Sequence, residues 1–160
     1  MNDPLAIKIE KQLLQGKKKK TIWEEEKSGE TAPRALFLLN NSAELAERKR
    51  FQLINLSLAI ILAFVTFKKL LTAFSFGRLD VFFFTSLVVP IINIYILKEI
   101  LRFKRLGFQY LFILSALSLV LPQNRSQPLE LFLTGGMIIL SAFLYLKLFP
   151  KGKQISPPQV

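Results

Sequence analysis

The chain has 160 residues, of which 51% are hydrophobic, and a formal net charge of +11 at pH 7. It contains neither cysteine nor histidine. This composition excludes disulfides, zinc sites built from Cys and His, haem ligation by those residues, and Cys- or His-based nucleophiles. The usual side chains of an active site are missing, so we predict no catalytic residue, no metal site, no cofactor and no enzymatic activity.

The first 50 residues form an arm that is too short and too charged to bury a substantial core of its own. Residues 5–14 read LAIKIEKQLL. In this segment Leu5, Ile9 and Leu13 recur at a spacing of four, which is typical of one face of a helix. We therefore predict a short amphipathic helix over Leu5–Leu14 within a charged, partly helical arm.

A basic run follows this helix, formed by Lys17, Lys18, Lys19 and Lys20. A basic residue near an anionic membrane surface contributes about 1 kcal/mol of attraction, and an amphipathic helix supplies a second weak anchor. We predict that the helix and the lysines together bind either anionic lipid or an acidic face of a protein partner. A solvated basic run is the alternative, and the neighbouring acidic residues 24–26 are placed to attract the lysines instead.

Four apolar stretches follow the arm, over residues 51–67, 79–97, 106–121 and 129–149. Their interiors carry no charge except Lys147, near the end of the last stretch. A helix needs about 20 mostly apolar residues to cross a bilayer, within a range of roughly 17–25. We predict an all-α integral membrane bundle of four transmembrane helices over residues 51–149, followed by a disordered tail over residues 150–160.

Pro90 and Asn93 interrupt the second apolar stretch. Proline kinks a membrane helix and frees a backbone carbonyl, while an asparagine amide forms hydrogen bonds between membrane helices. The pair therefore suits helix packing, and it also suits a permeation pathway.

Gly135 and Gly136 lie in the fourth stretch. Small residues allow the backbones of membrane helices to approach closely. We predict that these glycines mark a helix contact, either within the chain or with a partner, and a narrow gate is the alternative.

Basic residues predict the orientation of the bundle, because membrane proteins keep an excess of Lys and Arg on the cytoplasmic side. With the N-terminus inside, that side carries 18 of the 22 basic residues. We therefore predict that both termini are cytoplasmic and that the protein is multi-pass in a cell inner membrane or an equivalent internal membrane.

These features favour an accessory subunit, assembly factor or scaffold of a larger membrane complex. Its predicted partners are membrane lipids and other membrane subunits or further copies of itself. Nucleic acid is not expected, because basic residues that flank membrane spans account for the charge. Two alternatives stay open: a small oligomeric channel or facilitator with its pathway near Pro90 and Asn93, and a membrane enzyme that uses Glu and Lys at the cytoplasmic interface.

Reporter fusions at three positions test the predicted topology. Fusions after Lys104 and after Lys153 should report a cytoplasmic location, and a fusion after Asn124 should report the opposite side, as measured with paired reporters that are each active on one side only. A cytoplasmic signal after Asn124 would contradict four crossings, because the third stretch would then fail to span the membrane.

Overall fold

The structure is a computed structural model that describes residues 3–75, 81–120 and 128–156. Over these residues the chain is helical and contains no strand, so the predicted all-α class is confirmed. The helices are α1 Pro4–Leu14, α2 Lys19–Glu26, α3 Ala32–Asn40, α4 Leu45–Ser75, α5 Val81–Leu101, α6 Arg105–Val120 and α7 Pro128–Leu148, followed by a single 3-10 turn at Lys151–Lys153.

The first three helices fold together into a small unit, which we call the cap. Helix α1 begins where the Asp3 carboxylate accepts a hydrogen bond from the Leu5 amide at 3.1 Å, and Gly16 ends its last turn with a positive φ of 86°. The buried side chains of the cap form one apolar cluster: Ile9, Leu13, Ile22, Trp23, Ala35 and Leu39. The amphipathic helix predicted from the sequence is present, and its apolar face is turned towards α2 and α3.

The four long helices form a bundle in which α4 and α6 each pack against both α5 and α7. We call the end where α4 and α6 begin the arm end, because the cap lies there. Near this end the core is filled by large apolar side chains from all four helices: Leu58, Leu62, Ile96, Ile100, Phe108, Leu111 and Leu144.

Three segments of the bundle are long and apolar enough to cross a membrane: Leu45–Ser75, Phe83–Leu101 and Pro128–Leu148. Helix α6 is shorter, with 16 residues, which corresponds to about 24 Å at a rise of 1.5 Å per residue. A typical hydrocarbon core is roughly 30 Å thick. The chain is thus a helical bundle with three candidate membrane spans, which is the pattern of a membrane protein.

Two helix boundaries differ from the sequence prediction. Helix α4 continues to Ser75 rather than ending at Phe67, because lysines do not break a helix and their long side chains can reach towards water. The turn between α5 and α6 lies at residues 102–104, where Phe103 has a φ of 54°. Gly107 lies inside α6, one turn after this corner.

The prediction of a disordered tail is wrong for residues 150–156. The Asn40 side chain forms two hydrogen bonds of 2.9 Å with the backbone N–H and C=O of Ile155. Lys153 also pairs with Glu47 at 2.6 Å. These contacts hold the residues that follow α7 against the cap, and the rest of the predicted tail lies outside the described residues.

Gly107 makes the closest packing at the corner between α5 and α6. A Cβ atom there would lie 2.9 Å from Glu99 Cβ and 2.9 Å from the Ile100 nitrogen. Because a backbone atom is among these neighbours, the corner cannot relax by moving one side chain. We expect Gly107→Ala to lower the free energy of unfolding by about 1–3 kcal/mol, as measured by circular dichroism in detergent.

Gly136→Ala provides the matched control for this experiment. Among the described residues, a Cβ at Gly136 meets no atom within 4 Å. The free energy of unfolding of the purified control should therefore equal that of the unmodified chain, or exceed it by up to about 1 kcal/mol because alanine is the better helix former. Equal losses of unfolding free energy in the two variants would contradict the packing assigned to Gly107.

Candidate functional site

A cavity of about 390 Å³ lies between the four bundle helices, in the half of the bundle away from the cap. Most of its wall is apolar, and three buried polar residues contribute to the lining: Asn93 of α5, Ser115 of α6 and Thr134 of α7. This volume is within the range of roughly 300–1,000 Å³ found for small-molecule sites. The cavity is therefore the candidate functional site of the bundle.

Three charged residues, Lys68, Lys69 and Glu130, line the same cavity where α4 approaches its end and α7 begins. The Lys68 ammonium lies 3.0 Å from the Glu130 carboxylate, and both side chains are partly buried. Glu130 is in the first turn of α7, where a helix N-terminus favours a carboxylate. Ionisable groups at membrane depth are costly and usually functional.

Sequence reasoning missed this ion pair. The available signal was topological: the end of α4 and the start of α7 must face the same side of the membrane if α4 to α7 cross it in turn. A lysine near the end of α4 and a glutamate near the start of α7 are then placed to form an ion pair.

The structure brings the predicted residues Pro90 and Asn93 to the bundle interior. Pro90 is fully buried within α5, and Asn93 is 8% exposed and lines the cavity. The core between this cavity and the cap is filled by apolar side chains such as Leu58, Ile96 and Leu144. Among the described residues, buried apolar side chains therefore separate the cavity from the arm end.

Gly135 and Gly136 are not at a contact between described helices of this chain. A Cβ at either position meets no atom within 4 Å among the described residues. The predicted close approach within the chain is thus not observed, and a contact with another molecule is the form of the prediction that stays open.

The lysine run does not behave as one basic patch. Lys17 pairs with Glu25 at 3.0 Å, as the neighbouring acidic residues suggested. Lys19 is only 5% exposed, with its ammonium 5.8 Å from the centre of the Phe149 ring, and burial lowers the pKa of Lys19 to about 8. Lys18 and Lys20 remain exposed.

The apolar stripe of α1 is likewise engaged inside the cap. Ile9 and Leu13 are each 1% exposed, so neither side chain reaches lipid while the cap is folded. In the folded cap these two side chains are not presented to a lipid surface, and the binding of the arm to anionic lipid or to an acidic partner stays a prediction.

Glu10 connects the cap to the bundle, which sequence reasoning did not anticipate. Its carboxylate accepts a hydrogen bond from the Arg102 guanidinium and lies 4.0 Å from the Lys104 ammonium. Burial alone would raise the pKa of Glu10, but the hydrogen bond from Arg102 and the charge of Lys104 outweigh burial and hold this pKa below its usual value of 4.5. Lys104 also donates to the Ser42 hydroxyl at 2.7 Å.

Comparisons with known proteins identify no relative. No family model, no curated protein and no solved structure matches this chain. Within the described residues, no group of three or more acidic side chains is placed to hold a metal ion. The proposals below therefore depend on the chain's own contacts.

The Glu10 contact predicts an acid-sensitive cap. Because the folded-state pKa of Glu10 lies below the usual 4.5, the contact stabilises the cap above about pH 4.5 and is lost as the pH falls through the lower, folded-state value. Trp23, the one tryptophan of the chain, is buried in the cap. Its fluorescence should shift to longer wavelength as the cap loosens in acid.

Two variants distinguish the contribution of Glu10 to cap stability from that of other carboxylates. Glu10→Gln should weaken the cap at pH 7 by about 1.5–3 kcal/mol, the usual contribution of a hydrogen bond to a charged group, and should reduce the acid transition of Trp23. Glu24→Gln removes an exposed ion pair with Lys27 and should change little. An unchanged acid transition in Glu10→Gln would contradict the assignment.

Proposed function

We propose that this chain is a non-enzymatic accessory subunit, assembly factor or scaffold of a larger membrane complex, and that it binds a partner transmembrane helix on the outward face of α7. The observation that carries the proposal concerns Gly136. It lies between Phe132 and Ile139, which are 78% and 69% exposed. Spacings of four and three residues place all three on one face of the helix.

This face has the shape that membrane helices use to associate. Lipid tails are as apolar as leucine, so association depends on close packing, and small residues at the contact allow it. A glycine between two large apolar side chains provides a recess flanked by two projections. Since no described helix of this chain fills the recess, a helix from another protein is the proposed occupant.

In the proposed topology α6 also crosses the membrane, as the third of four crossings in chain order. Both termini and the cap are then cytoplasmic. Helix α6 packs against both α5 and α7, which are two of the candidate spans. A helix shorter than the hydrocarbon core is accommodated by local thinning of the bilayer and by flanking basic side chains that reach the interface. The excess of basic residues at the arm end supports the inward orientation.

Gly136→Leu tests the proposed partner contact. The variant should fold like the unmodified chain, because its side chain enters open space, and it should lose a stoichiometric membrane partner when purified in mild detergent from its own host. Subunit identity and stoichiometry are measured by mass spectrometry. Leu131→Phe is the control, since Leu131 is also exposed on α7 but is five residues away and points to another side.

Two results would count against the partner contact. One is a Gly136→Leu protein that keeps its stoichiometric partner. The other is an unmodified chain that purifies from its host as a single subunit, or only with further copies of itself.

The channel or facilitator is the second candidate, and the cavity beside Asn93 favours it. If Asn93 only packs the bundle, Asn93→Leu should cost about 0.6 kcal/mol, the average for hydrogen bonds between membrane helices, and function should survive. Solute flux through liposomes containing the purified protein, abolished by Asn93→Leu without loss of folding, would favour the pathway instead.

A further inference from the structure

A second groove, of about 430 Å³, runs along the outside of the bundle between α6 and α7. Its inner part is lined by apolar residues that include Phe112, Ile113 and Ala142. Towards the arm end, the lining becomes polar at Gln109 and Tyr145. The groove thus has an apolar section at membrane depth and a polar section at one end of the bundle.

Arg105 provides positive charge at the polar section. Its guanidinium donates to the Tyr145 hydroxyl oxygen at 2.8 Å, and the Gln109 amide donates to the same oxygen at 3.2 Å. Across the described residues no carboxylate pairs with Arg105, and its Nε atom is buried without an acceptor. A partly buried cation without a counter-ion is costly, so this section favours an anion.

Lys19 adds a second positive charge beside this section. Its ammonium lies 5.8 Å from the centre of the Phe149 ring. The centres of the Phe149 and Tyr145 rings are 6.2 Å apart. Lys19 makes no direct ion pair with a carboxylate of the described residues. Burial lowers the pKa of Lys19, the nearby Glu44 carboxylate opposes this lowering, and the charges of Lys153, Arg48 and Arg105 add to it.

We propose that the groove between α6 and α7 binds one anionic phospholipid, with the headgroup phosphate at Arg105, Gln109 and Tyr145 and an acyl chain along Phe112 and Ala142. The order of these sections matches a lipid in one leaflet. The charged section lies where α6 begins and α7 ends, and the apolar residues Phe112 and Ala142 follow about one helical turn beyond Gln109 and Tyr145, away from the arm end. Basic residues at such an interface favour anionic over zwitterionic headgroups.

This site is independent of the partner contact proposed at Gly136. Ala142 and Tyr145 are six and nine residues from Gly136, which places them on other sides of α7. Loss of lipid binding and loss of the partner subunit can therefore be distinguished with separate variants of the same helix.

Lipid binding is measured on the purified full-length chain in detergent by native mass spectrometry. Phosphatidylglycerol should be retained at one molecule per chain in clear preference to phosphatidylcholine of the same acyl chains. Arg105→Gln should weaken phosphatidylglycerol binding roughly fivefold or more, on the scale of one basic residue at an anionic surface. Lys98→Gln removes one charge from an exposed site on α5 at the same end and should have little effect.

A steric variant tests the apolar section without changing the charge. Ala142→Phe should fill the groove and reduce lipid retention while the helical content stays unchanged. Equal retention of phosphatidylcholine and phosphatidylglycerol by the unmodified chain would overturn the proposal, and this measurement requires no variant to fold. Displacement by millimolar inorganic phosphate, or dimerisation that Ala142→Phe abolishes, would assign the groove to a soluble anion or to a second copy.

Discussion

The corner between α5 and α6 is the structural element on which the rest of the molecule depends. The segment that follows α3 lies against this corner and pairs with it through an isolated bridge between Ser42 and Lys104. Asn41 accepts hydrogen bonds from the Arg105 amide at 2.8 Å and from the Leu106 amide at 3.0 Å, and the Ala43 amide donates to the Phe103 carbonyl at 3.2 Å. These bonds satisfy backbone groups that a helix end leaves unpaired, so the cap and the bundle share one set of capping interactions.

Two further polar side chains of α4 form hydrogen bonds near this corner. The Asn55 amide of α4 donates to the Ile100 carbonyl at 3.0 Å, and Arg48 donates to the Ala43 carbonyl at 2.9 Å. Both side chains donate to backbone carbonyls close to the corner, where the backbone hydrogen bonds of α5 end. Because lipid offers no hydrogen bonds to a free carbonyl, such contacts at the membrane boundary fix where each helix can begin and end. Sequence reasoning passed over Asn55, since a single amide in an apolar stretch gives no indication of its partner.

The sequence was informative about local structure and uninformative about docking. Hydrophobic length and helical spacing predicted α1 and the four bundle helices, because these properties depend on neighbouring residues alone. The contact of Glu10 with Arg102 joins residues 92 positions apart, and the Asn40 contact with Ile155 joins residues 115 apart. No local pattern encodes such pairs. Asn93 was identified because it lies three residues after Pro90 in the same apolar stretch, whereas Glu130 was missed because it lies at the edge of one.

The docking of the cap also changes where lipid recognition is expected. From the sequence, the arm was the natural lipid-binding element, since it combines an amphipathic helix with a lysine run. In the folded chain, however, Ile9 and Leu13 fill the cap and Lys19 is buried beside Phe149 at the end of α7. The charge of that lysine is thereby moved from a surface tail to the end of α7. A cation held in place beside an apolar groove selects a lipid more specifically than a mobile tail does, because less conformational entropy is lost on binding.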